Sequence, residues 1–113
     1  MTTNTAKKRL ADAGLFTKKG EIVARYNSII YALAGGVTRF HCCRWRRNGR
    51  RHQLQDESEK IRRVFNALHL PYTEGNDAPR GGREGDYLEI TAAARRALDP
   101  VHADFKAWLY SKR

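Results

Sequence analysis

Residues 37–55 read VTRFHCCRWRRNGRRHQLQ, and the fold turns on how they pair. Val37 to Trp45 is rich in β-branched, aromatic and cysteine side chains, which suit a pleated strand. Asn48-Gly49 is a type I′ hairpin signal. A two-residue turn there sets Arg47 opposite Arg50, Arg46 opposite Arg51, Trp45 opposite His52 and Cys43 opposite Leu54. Opposed residues share a face of the sheet. One face is thus expected to carry His41, Cys43, Trp45, His52 and Leu54 against helices. The other carries Arg44, Arg46, Arg51, Gln53 and Gln55, with Phe40 and Cys42 at its far end.

Working outward, Ile22, Tyr26, Ile29, Ile30 and Leu33 form one apolar stripe at helical spacing. A helix over 18–34 is predicted, capped by Thr17, ended by Gly35-Gly36 and serving as the spine of the core. Before it lies a short helix from about Thr5 to Ala13, stopped by Gly14, with residues 1–4 as a flexible arm. After the hairpin, Asp56-Glu57-Ser58-Glu59 supplies a cap and first-turn acids. Ile61, Val64, Phe65 and Leu68 then predict an amphipathic helix over 57–68, with Lys60, Arg62 and Arg63 outward. Pro71 confines the next stretch to an extended edge segment, 69–73. Residues 74–85 read as a loop, and Asp86 to Ile90 as a strand paired with 69–73. Thr91 caps a helix over 92–98, and Asp99-Pro100 opens a last helix burying Val101, Phe105, Trp108 and Leu109.

The 113 residues carry 22 Lys and Arg against 12 Asp and Glu, a net charge of +10. That length suits a single basic α+β domain over 1–113: helices packed on an antiparallel sheet built from hairpins 37–54 and 69–90. No apolar run approaches the ~20 residues that span a bilayer, and Met1 to Lys8 lacks the apolar core of a signal peptide. A cytoplasmic location, with no membrane partner, is the expectation. Adjacent Cys42 and Cys43 would make a strained disulfide, so they are read as small buried thiols.

Arginine outnumbers lysine 15 to 7, and the guanidinium fork matches phosphate geometry. A polyanionic partner follows from that excess, with DNA or RNA first and an acidic protein surface second. Arg39, Arg44, Arg46, Arg47, Arg50 and Arg51 lie within residues 39–51 with no acid among them. A two-stranded basic ribbon fits a major groove or tracks a single strand. Phosphate contacts are expected from these arginines, with Gln53 and Gln55 on sugar or base. Lys60, Arg62, Arg63, Arg80 and Arg83 would extend the footprint. Phe40 is placed on the arginine side as a base-stacking residue, and Trp45 in the core. Glycines in 75–83 would let backbone amides approach a phosphate, although the Walker ending is missing.

Catalysis has weaker footing. His41, Cys43 and His52 give three ligands where structural zinc takes four. Glu74, Asp77, Glu84, Asp86 and Glu89 cluster, yet Asp86 and Glu89 point to opposite faces of a strand. No catalytic residue, metal or cofactor is therefore assigned, and the reading is a non-catalytic nucleic-acid-binding protein. The alternative is a protein–protein module or inhibitor, such as a phage or plasmid product docking on an acidic face of a nucleic-acid-processing complex. The order helix, strand, loop, strand over about 56–90 is similar to that of winged helix-turn-helix domains. That resemblance would make 57–68 a reading helix exposing Arg62 and Arg63, with a hairpin where the motif's preceding helix belongs.

Overall fold

In a computed structural model the chain forms an α+β fold, described over residues 1–98 and 102–111. Helix α1 spans Thr3–Asp12, with Thr2 Oγ1 accepting the Thr5 amide, so Thr3 and Asn4 of the expected N-terminal arm are helical. Ala6 and Leu10, four residues apart, put its inner face into the core. The long helix expected over 18–34 is shorter. A 3-10 turn at Ala24–Tyr26 runs into α2, Asn27–Ala34. Lys18-Lys19-Gly20 instead forms a turn: the Gly20 amide reaches the Thr17 carbonyl at 2.9 Å, and Phe16 pairs with Ile22. Thr17 Oγ1 accepts from the Glu21 amide within that turn, so it caps no helix.

The sheet also differs from the expected arrangement. Strand β1 is only Arg39–His41; it pairs antiparallel with β5, Asp86–Ile90, which pairs on its other edge with β4, Tyr72–Asn76. Arg39 opposes Glu89, Phe40 opposes Leu88, and Tyr72 opposes Ile90. At Cys42 the chain leaves this sheet. The Cys42 amide donates to the Asp86 carbonyl at 2.8 Å, and its carbonyl accepts the Glu57 amide at 2.6 Å. Strands β2, Cys43–Asn48, and β3, Arg51–Asp56, then form a separate two-stranded ribbon. The stretch 37–54 is thus one strand of the core sheet followed by a hairpin outside it.

Helix α3, Ser58–Ala67, closes the core under the sheet; Ile61, Val64 and Phe65 are buried, and Leu68 follows. Phe65 is the hub, 5.4 Å between ring centroids from both Phe40 and Tyr72. Phe40 is therefore a core residue and not the base-stacking residue expected from its place among arginines. Helix α4, Ala92–Leu98, starts with Thr91 Oγ1 accepting the Ala94 amide, as its sequence predicts. Helix α5, His102–Ser111, contributes buried Leu109, whose carbonyl accepts the Tyr31 hydroxyl at 2.9 Å. Asp99, Pro100, Val101 and the side chain of Phe105 lie outside the described residues. The residues before α3 form the ribbon, so no helix-turn-helix is built, although α3, β4, loop and β5 follow the winged order. Among the described residues, no helix is long and apolar enough to cross a membrane.

The core and the ribbon predict different costs. Leu88→Ala should lose about 2–5 kcal/mol by opening a cavity, whereas Trp45→Ala should stay within about 0.5 kcal/mol. Chemical denaturation of both variants checks this; a comparable loss from Trp45→Ala would mean that the indole packs on the body.

Candidate functional site

The ribbon register is Cys43↔Asp56, Arg44↔Gln55, Trp45↔Leu54, Arg46↔Gln53, Arg47↔His52 and Asn48↔Arg51. The two-residue turn is thus Gly49-Arg50, with Gly49 at φ +64°, a conformation that glycine adopts without a Cβ penalty. Each residue pairs two positions beyond its expected partner. A shift of two preserves the pleat, so the face assignments within β2 and β3 survive it. Arg44, Arg46, Arg51, Gln53 and Gln55 do share a face; Trp45, Arg47, His52 and Leu54 share the other.

The second face is not a core face. Cys43 is buried at its root and Leu54 is half-buried, but Trp45 is 63% exposed. The bend at Cys42 carries the ribbon away from the helices before Trp45 can reach them. Leu54 accompanies it as the apolar residue opposite, and Arg47 and His52 pair with each other next toward the tip. His41 belongs to the core sheet and His52 to the ribbon, so the expected three-ligand face is not formed.

At the base of the arginine face sits Glu57, whose side chain is 12% exposed. Arg46 Nη2 lies 2.8 Å from Glu57 Oε1, Arg44 Nε 3.7 Å from Oε2, and Lys60 Nζ 3.9 Å from Oε1. Burial pushes this carboxyl up, but the Arg46 hydrogen bond and the charges of Lys60 and the two arginines outweigh it, giving a net downward shift. Sequence reasoning placed Glu57 in a helix cap and missed this role. Its position one residue after a strand that ends opposite the arginines was the available signal. Toward the tip, Arg47 Nε donates to the Gly49 carbonyl at 2.9 Å. Arg47, Arg50 and Arg51 are exposed and have no carboxylate partner among the described residues.

The remaining cations fall into separate groups. Arg39 is bound within the core sheet, 3.2 Å from both Asp77 and Glu89, with its guanidinium 3.9 Å above the Tyr87 ring. It is therefore neutralised locally rather than contributing to the ribbon. Arg62 pairs with Glu74. Arg63 donates to the Ala13 carbonyl at 3.4 Å and lies over the Tyr26 ring. Arg83 reaches Asp56 at 3.7 Å, on the Trp45 side of the ribbon's root, while Arg80 is exposed on the loop. Ribbon, Lys60 and Arg83 are contiguous; Arg39, Arg62 and Arg63 serve the body.

Four amides of the glycine-rich loop are used within the loop itself. The Asp77 amide donates to Gly85, Ala78 to Asn76 Oδ1, Gly81 to Ala78 and Gly85 to Gly82. Asn76 Nδ2 donates to both the Gly82 carbonyl and Asp86 Oδ1 at 2.8 Å. Gly85 is buried so tightly that a Cβ there would collide with Ala78. These donors hold the loop's own shape, and the consecutive amides of Gly82, Arg83 and Glu84 are not among them. One of its acids is used as well: Asp77 accepts from His41 Nε2 at 2.9 Å and from Arg39. Among the described residues, no group of three His, Cys, Asp or Glu is arranged to hold a metal. Comparison with family models, curated proteins and solved structures gives no match to this chain.

The His41 hydrogen bond, with Arg39, holds the Asp77 carboxyl below its usual range. Asp56 is lowered as well, first through Ser58. A carboxyl depressed by folding stabilises the protein above its unfolded pKa, and that contribution is lost as pH falls through the folded value. Stability should therefore decline below about pH 4, and Asp77→Asn should make that decline shallower while slightly lowering stability at pH 7. Urea titrations at pH 7, 4 and 3 read both effects; an unchanged acid decline would show that Asp77 is not a contributor.

Proposed function

We propose that this protein binds nucleic acid without catalysing a reaction on it, using the β2–β3 ribbon as its phosphate-contacting element. The observation that carries the reading is a ribbon with five exposed arginines, Arg44, Arg46, Arg47, Arg50 and Arg51, standing outside the core sheet. Like charges crowded on two short strands destabilise a hairpin in isolation. A polyanion that neutralises them removes this cost and releases counterions, which makes binding favourable and salt-sensitive. The ribbon's width suits a major groove or an extended strand. Gln53 and Gln55, exposed on the arginine face, are placed for sugar or base edges. Lys60 and Arg83 extend the contact at the root, and Arg80 from the loop.

The tip arginines are the stronger contributors in this reading, because Arg44 and Arg46 already share Glu57. Affinity for a short DNA duplex should fall steeply with salt. Losing three phosphate contacts through Arg47/Arg50/Arg51→Ala should flatten the log–log slope by about 3. Glu57→Gln should act in the opposite direction, tightening binding by up to about fivefold as two arginines and a lysine lose a competing carboxylate. Fluorescence anisotropy across a salt series measures both. Binding of neither duplex nor single strand near physiological salt, or a triple variant equal to wild type, would sink the proposal. Collapse on removing a single arginine would mark a protein interface instead.

A further inference from the structure

The Trp45 face of the ribbon is not explained by phosphate contacts. Trp45 is 63% exposed and makes no ring or cation contact among the described residues. Leu54 lies opposite it and supports one side; Arg47 and His52 border it toward the tip, two positions along the strands. At the root of the same face, Arg83 lies against Asp56. The indole is thus a planar apolar surface held on a strand, with cationic or hydrogen-bonding groups on either side along the ribbon.

We propose that Trp45 stacks an unpaired base while Arg47 and Arg83 hold the flanking phosphates, so that the preferred polymer is single-stranded. This deepens the nucleic-acid reading above and rests on it. The composition of the face favours this occupant. The core of a protein interface is depleted in charge and wide enough to exclude water, whereas this patch has one apolar neighbour and is bordered by Arg47 and His52. A duplex keeps its bases stacked on each other and offers the indole no free π-face. A single strand offers one at each nucleotide, and base–aromatic stacking is sequence-tolerant. The two faces of the ribbon then have different tasks: the Arg44/Arg46/Arg51 face supplies charge, and the Trp45 face selects strand type.

The experiment compares wild type, Trp45→Ala and Trp45→Phe on four probes of similar length: a thymidine oligonucleotide, the matching abasic strand, a DNA duplex and polyglutamate. Stacking worth about 1–3 kcal/mol predicts that Trp45→Ala weakens oligonucleotide binding by about 5- to 150-fold. Trp45→Phe should retain most of the affinity, and duplex binding should change less than twofold. Wild type should bind the abasic strand about as weakly as Trp45→Ala binds the normal one. In a Trp108→Phe background, the oligonucleotide should quench the remaining Trp45 emission and the duplex should not. Equal losses on strand and duplex, no loss on the strand, or polyglutamate competing as well as the oligonucleotide would overturn the stacking role. Wild type binding none of the nucleic acids would overturn the nucleic-acid reading itself, a result separable from a salt-sensitive interaction that ignores Trp45.

Discussion

The bend at Cys42 is the constraint on which the rest of the molecule depends. Its amide is committed to the Asp86 carbonyl and its carbonyl to the Glu57 amide, so one residue ties the core sheet to the start of α3. Both thiols of the Cys42-Cys43 pair are buried there, and burial pushes the Cys42 thiol up. A backbone with both polar groups satisfied can be buried at little cost. That permits the strand to end abruptly and the next one to set off in another direction. Core closure and ribbon projection are therefore two results of one junction.

Because the junction separates the two, charge is distributed by location. Two cations beside the core sheet are matched by acids: Arg39 with Asp77 and Glu89, Arg62 with Glu74. The ribbon has few such partners, and those it has sit at its root, where Glu57 gathers Arg44, Arg46 and Lys60. Exposed pairs of this kind contribute little to stability. Their consequence is a field that is nearly balanced over the sheet and strongly positive toward the tip.

What the sequence disclosed followed from local periodicity and local hydrogen bonding. The α3 stripe, the β5 strand and the Thr91 cap each depend on residues within a turn or two of one another, and each appears where its pattern predicts. The helix over 18–34 was begun too early because Ile22 continues the apolar stripe by position alone, while Lys18-Lys19-Gly20 prefers a turn. The arginine face was legible because alternation is insensitive to a slip of two. Trp45 was not, since its exposure depends on where the chain leaves the sheet. The neutralisation of Arg39 was equally hidden: its acids lie 38 and 50 residues away in sequence. Site geometry of that kind is a property of closure, and no window of neighbouring residues contains it.

The separation of ribbon from core bears on how such a chain can vary. Substitutions beyond Cys43 on β2, or before Asp56 on β3, touch few of the contacts that hold the body together. Adding two residues to each strand would move the tip outward by about 7 Å and leave the inside–outside alternation intact. Reach and charge can thus be revised by drift or by design while the fold is held constant, much as a tool head is changed on a fixed handle. Selection on what the ribbon presents would act on its own positions, and selection for stability on the others.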